Sequence, residues 1–213
     1  FVAGADYSPE DAHACWRMVF DQDYTARLLA PLAGEPGAGA SVFDVYRDTF
    51  AKTNARHPLN RLLYLDTRLY LPADMLTKVD RMTMAHSLEA RVPFLDHNLA
   101  EFIATLPPRM KLRNLRHKKY ILKKMMEDKL PSWLLWRKKQ GFNVPKARWI
   151  KKELKPFVTD HLSREMVGRM GFLDPDVVTE ILEDHFKGKA ENSYRIWCLL
   201  TLSLWWQQFV DGK

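Results

Sequence analysis

Apolar residues along this chain recur mostly at intervals of three and four, with little of the strict alternation of a half-buried strand. The segments between prolines and glycines therefore read as helices. "SPEDAHACWRMVF" opens the first, with Ser8 as N-cap, Pro9 in the first turn, and Glu10 and Asp11 facing the positive end of the helix dipole. The glycines and prolines of "PLAGEPGAGAS", residues 31 to 41, break the pattern and mark a linker or surface loop. From Pro58 onward the pattern predicts three helices separated at Pro72 and Pro93. Leu63, Asp66, Thr67 and Tyr70 follow the i, i+3, i+4, i+7 spacing, which sets an acid on an otherwise inward-type face, where it requires a partner. The second of these helices is predicted from about Ala73 to Ala90, ending because Pro93 pushes Val92 out of the α region. In "DPDVVTEILEDHFKG" Asp174 caps, Pro175 takes the first helical position and Gly188 closes. The last helix, from about Ser193, is apolar on nearly all sides and is predicted to be buried. Its run from Ile196 to Trp206 is far short of the roughly 20 residues that span a bilayer.

Composition changes this picture in two ways. With 213 residues, 46% hydrophobic and 12% aromatic, the chain can bury a substantial core. The net charge of +7 is strongly local: residues 107 to 155 hold 17 of the 33 Lys and Arg but 3 of the 26 Asp and Glu, leaving 16 against 23 elsewhere. Such a stretch suits either a polyanion or a solvated helix surface. Cys15 and Cys198 are the only cysteines and form no CxxC or Cys/His cluster, so no disulfide framework and no metal site is expected, and a reducing, cytoplasmic setting fits. Phe1 leads into Val-Ala-Gly-Ala-Asp without a basic, apolar secretory signal and without an initiator methionine.

Several residues invite a chemical reading. Glu89, placed in the last turn of the second predicted helix, faces the negative end of the dipole, a position that disfavours a carboxylate. It either pairs structurally with Arg91 or Lys78, or serves as a catalytic or substrate-orienting acid. Asp80 and Arg81 lie about 100° apart on that helix, so they face differently and one is expected to look inward. Met75, Leu76, Val79, Met82 and Met84 form an adaptable apolar surface that reads as core. His86 and His97 lack metal-ligand spacing. "LPSWLLW" precedes "RKKQGFNVPKARWIKK", in which Arg137, Lys138 and Lys139 stand just before Gly141; a lysine suits phosphate and a glycine lets backbone approach a ligand. Nucleotide phosphate, nucleic acid and a solvated face all remain open on spacing alone, although no helix-turn-helix, RRM, KH or zinc-finger pattern and no Gly-rich phosphate loop is present.

"YLDTRLYLPADMLTKVDRMTMAHSLEARVPFLDHNLAEF", residues 64 to 102, resembles the signature of the synthetase domain of bacterial-type glutamine-dependent asparagine synthetases, and "LPSWLLWRKKQGFNVP" resembles the lysine loop that follows it there. Residues 59 to about 160 carry the resemblance strongly, 161 to 213 are compatible, and 1 to 58 match weakly. The resemblance implies two regions, 1–58 with amino-terminal helices and a Gly/Pro-rich loop, and 59–213 as the helical part of the synthetase domain. The fold class is mainly α, by the resemblance the helical carboxy-terminal portion of an adenine-nucleotide α-hydrolase-like (PP-loop) synthetase domain lacking its nucleotide-binding sheet. The implied chemistry is ATP-dependent conversion of aspartate to asparagine with AMP, pyrophosphate and glutamate as the other products of ATP and glutamine. Lys139 corresponds to the family's catalytic loop lysine, with Gly141 beside it at the phosphates, and Lys138 stands where the family varies. Glu89 matches a catalytic glutamate of the related β-lactam-forming synthetases, with Asp66, Lys78, Asp80, Arg81 and Arg91 as supporting candidates.

Two departures bear on activity. The family's SGGxDS pyrophosphate loop is absent, and neither Cys15 nor Cys198 can serve as the amino-terminal glutaminase nucleophile. Phe1 is therefore read as a point inside a longer polypeptide, whose glutaminase domain and PP-loop sheet are the expected partners and whose absent part binds most of the ATP and Mg. The fragment is expected to be inactive alone and to expose an apolar face where the sheet would pack. Aspartate and ammonia are the implied small-molecule substrates, no membrane is involved, and a homodimer is allowed. A sibling amidotransferase acting on another carboxylate in polysaccharide or secondary-metabolite biosynthesis shares these motifs; the competing class is a nucleic-acid-binding module using the basic stretch.

Overall fold

A computed structural model describes residues 6–37, 39–138 and 144–212. The chain forms two compact units, one of Phe1–Ala14 and Phe43–Gly141, the other of Cys15–Val42 and Phe142–Lys213. Helices dominate, as the patterning predicts; the described strands are a single two-residue antiparallel pair.

In the first unit, α1 (Pro9–Cys15) begins as expected, with the Asp11 N–H donating to Ser8 Oγ at 3.3 Å. Asp11 is buried and receives two hydrogen bonds from Arg47, at 3.0 and 2.7 Å. Arg47 belongs to a later helix, Val42–Ala51, and the Tyr7 and Phe43 rings stack nearby at 5.8 Å. The small core consists of Ala12, Ala14, Phe43, Phe50, Leu65 and Leu135, and the Arg61 guanidinium lies 3.6 Å from the Phe50 ring centre.

The helix that starts at Pro58 does not stop at Pro72. An α-helical stretch, Pro58–Leu65, runs into a π-helical one, Asp66–Leu76, and on into a third, Thr77–Met84, without a break. A proline in an α-helix removes a donor and crowds the preceding turn. The wider π register accommodates it, and Thr77 Oγ1 donates to the Pro72 carbonyl at 2.7 Å, five residues back.

The same helix ends at Met84, not near Ala90. The Leu88 N–H reaches back to the Thr83 carbonyl at 3.0 Å and Ser87 N–H to Met84 at 3.0 Å, with Ser87 in the left-handed region at φ 57. This is a Schellman closure with serine where glycine is usual, at a cost of roughly 1 kcal/mol. Val92 has left the α region, as its proline neighbour predicts, and Pro93–Leu95 form a 3₁₀ turn. Asp96 then caps the helix His97–Thr105 by accepting from the Leu99 N–H at 3.1 Å. A short helix, Pro108–Lys111, leads into β1 (Leu112–Arg113) and β2 (His117–Lys118), paired Leu112 to Lys118 and Arg113 to His117, and the helices Tyr120–Met125 and Ser132–Leu135 follow.

The second unit holds the larger core. Leu28 of the helix Gln22–Leu28 joins Ile150, Val158, Leu162, Val167, Val178, Ile181, Ile196 and Leu199, drawn from the helices Lys146–Lys151, Lys155–His161, Arg164–Met170, Pro175–Phe186 and Ser193–Phe209. Asp174 caps Pro175–Phe186 as predicted, accepting from the N–H groups of Asp176 at 2.8 Å and Val177 at 3.3 Å, and Gly188 is left-handed beyond its end. The Asp174 N–H donates in turn to the Leu28 carbonyl at 2.8 Å. The terminal helix corrects its expectation: Ile196, Leu199, Leu200 and Ser203 are buried, but Tyr194, Trp205 and Phe209 are exposed on the opposite side. An all-apolar helix at the rim of a bundle can bury only the face that neighbours reach.

His185 sits fully buried in this core; its Nδ1 accepts from the Asn192 N–H at 3.2 Å and its Nε2 has no hydrogen-bond partner among the described residues. Burial, aided by the charge of Lys151 and opposed by Glu191, pulls its pKa below the usual imidazole value. The unfolded chain, with a histidine near pH 6.5, thus takes up the proton first. Stability is complete above about pH 6.5 and is lost as pH falls below that value toward the lower folded pKa. Denaturant unfolding between pH 5 and 8 is expected to show this slope, and His185→Asn, which keeps an acceptor near Nδ1, is expected to flatten it.

Candidate functional site

The residues singled out from sequence fall into three places. Asp66 opens the π-helical stretch, and its Oδ1 lies 2.9 Å from Nε2 of His13, a nearly buried residue of α1. A carboxylate only accepts, so His13 carries its proton on Nε2. The partner that the face of Asp66 requires is thus supplied from 53 residues away, and the His13 ring also packs beside Tyr46 at 6.3 Å. Nothing in the local pattern points to His13.

Glu89 lies beyond the helix end, in the segment between the Ser87 turn and Pro93, so the unfavourable dipole argued from sequence does not act on it. Arg91, two residues on, turns toward it, with Nη2 2.5 Å from Glu89 Oε1. The two side chains are 67% and 82% exposed, for Glu89 and Arg91 respectively, so this pair contributes only about 0–1 kcal/mol to the fold. Lys78 pairs one helical turn back with Asp74 at 3.5 Å rather than with Glu89. Asp80 and Arg81 are both exposed, and neither has an ion-pair partner among the described residues; the expected inward-facing member of the two is not found. The structure therefore joins Glu89 to Arg91 and Asp66 to His13, and leaves Lys78, Asp80 and Arg81 outside both pairs.

The apolar surface read as core is open instead. Val79, Met82 and Met84 are exposed, as are Leu88, Val92 and Phe94, which flank Glu89 in sequence, while Met75 and Leu76 are half-buried.

The third place is the basic loop. Lys139 and Gly141 lie outside the described residues. Its leading end is anchored: Leu135 is buried, and the Trp136 ring meets His117 edge-on at 5.1 Å and Lys123 Nζ at 5.0 Å from its centre. On the far side, within the second unit, Lys146 Nζ sits 3.3 Å from the centre of the Tyr194 ring, and Ile150 is fully buried. Both flanks are thus held by packing. Among the described residues, no cluster of three or more His, Cys, Asp or Glu could hold a metal ion.

The family model for asparagine synthase matches residues 8–207. The chain belongs to the asparagine synthase family. That match runs through residues 8–58, where motif resemblance alone is weak. The chain is similar to the glutamine-hydrolyzing asparagine synthetase 1 of Bacillus subtilis (strain 168), with 36% identity over 162 residues, covering 76% of this chain and 25% of the relative. A putative glutamine-hydrolyzing asparagine synthetase of Mycobacterium bovis is 32% identical over 169 residues, covering 79% and 26%. The protein named amidase chyE of Penicillium rubens is 29% identical over 140 residues, covering 63% and 21%. The chain spans about a quarter of the length of these relatives. No solved structure matches it. Among the described residues, no helix is long and apolar enough to cross a membrane.

Proposed function

We propose that this chain is the helical carboxy-terminal part of the synthetase domain of a longer, cytoplasmic, ATP-dependent and AMP-forming asparagine synthetase. Residues 59–213 carry the recognisable helical part, and 1–58 lead into it. The observation that carries this reading is a family match over residues 8–207 in a chain a quarter as long as its relatives.

In the proposed reaction the side-chain carboxylate of aspartate attacks the α-phosphorus of ATP and expels pyrophosphate. Ammonia released from glutamine then attacks the acyl carbon of the adenylate, and AMP leaves with the C–O bond pair. Negative charge grows first on the α-phosphoryl oxygens and then on a tetrahedral carbon's oxygen. Lys139 is assigned to both, since a fixed cation aimed at developing charge needs no reorganisation. Gly141 gives the backbone close approach to the phosphates. Glu89 is assigned the carboxylate role, receiving a proton from the incoming ammonia or orienting it, with Arg91 paired to it until substrate arrives. Asp66, Lys78, Asp80 and Arg81 are assigned supporting roles around it. The site of the magnesium that accompanies ATP is assigned, with the pyrophosphate loop, to the rest of the polypeptide.

Aspartate-dependent release of pyrophosphate from ATP by the full-length parent chain tests the reading. Release that requires aspartate supports it. Release with a different carboxylic acid instead moves the protein to the sibling amidotransferases, a reading the likeness to a fungal protein named an amidase favours as the second choice. No release with any acid, together with salt-sensitive RNA or DNA binding, sinks it in favour of a nucleic-acid module.

A further inference from the structure

Glu89 owes its position to the way the preceding helix ends. After Met84, the Ala85 N–H bonds back to Arg81 at 3.0 Å, His86 to Thr83 at 2.9 Å, and Leu88 to Thr83 at 3.0 Å. This last bond spans five residues and closes only if the residue between lies in the left-handed region, which Ser87 does at φ 57. Thr83 is held as well, its hydroxyl donating to the Val79 carbonyl at 2.9 Å. On the other side Pro93 starts the next turn, and the Leu95 N–H donates to the Val92 carbonyl at 2.9 Å. Residues 88 to 92 are thus a short bridge between two fixed ends, and Glu89 is the second residue of it. The Ser87 side chain is exposed, and among the described residues no hydrogen bond from its hydroxyl accounts for a serine there. A non-glycine residue held in a sparsely populated conformation two residues from a site acid is the kind of strain that marks a positioning element.

We infer that Ser87 is a positioning residue: its left-handed backbone, not its hydroxyl, directs the Glu89 carboxylate out of the helix toward the reacting carboxyl group. This rests on the Glu89 role proposed above.

The test uses the full-length synthetase and aspartate-dependent pyrophosphate release. Ser87→Gly and Ser87→Asn both accept a left-handed backbone and are expected to keep wild-type kcat. Ser87→Val, whose branched Cβ opposes it, is expected to lose on the order of tenfold to a hundredfold in kcat, with KM for ATP unchanged, because displacement of a positioned group by about 1 Å has that scale. Ser87→Ala, which disturbs the fold less, should fall between. Combined with Glu89→Gln, the valine change should add no further loss. A glycine variant as slow as the valine one overturns the inference, because the hydroxyl then matters. A loss additive with that of Glu89→Gln overturns it too, because the turn then acts elsewhere. Full activity of Glu89→Gln overturns the Glu89 role itself, and the inference with it.

Discussion

Lys139→Ala in the full-length synthetase is expected to lower aspartate-dependent pyrophosphate release by on the order of 10²-fold or more, the usual scale for one electrostatic donor in a water-excluded site. Lys138→Ala should do far less. The asymmetry is the informative part. Two adjacent lysines on a loop differ little in charge delivered at long range, so a diffuse electrostatic attraction for ATP predicts equal losses, mainly in KM. A donor placed on the α-phosphate predicts a loss in kcat confined to one of them. Before the loop Leu135 and Trp136 are packed within the first unit, and after it Ile150 is buried and Lys146 lies over Tyr194 within the second. Single-turnover measurement of pyrophosphate release for wild type and both variants decides between them, and equal effects would sink the assignment of Lys139.

The largest effect on stability is expected at Ile196. It has no exposed surface and sits in the middle of the second unit's core with Ile181, Leu199 and Val178. Ile196→Ala removes three buried carbons and leaves a cavity that helices packed on several sides cannot collapse into, so the expected cost is about 2–5 kcal/mol. Phe209→Ala, at the exposed end of the same helix, deletes a larger side chain and is expected to change stability by less than about 0.5 kcal/mol. Denaturant unfolding followed by tryptophan fluorescence reads both. Equal losses would mean that the exposed face of this helix is covered in solution.

What the sequence determined by itself is what depends on neighbours in the chain. Ser8 and Asp174 could be assigned as caps, and Pro175 and Gly188 as helix boundaries, because each acts within a turn of itself. The family motif from residue 64 to 102 was legible for the same reason, as was the mainly helical class that the structure shares. Pro72 was misread because its usual effect assumes an α register, and the relief offered by a π-helical turn involves a threonine five residues on. Glu89 was placed in a helix that a left-handed serine ends earlier, a conformation for which the residue type gives no warning. The partner of Asp66 could be demanded but not named, since His13 reaches it only once two helices distant in sequence pack. The terminal helix was read as buried all round because apolarity states what a face prefers; which face is granted a neighbour is decided by the tertiary arrangement, since burial requires atoms on the other side.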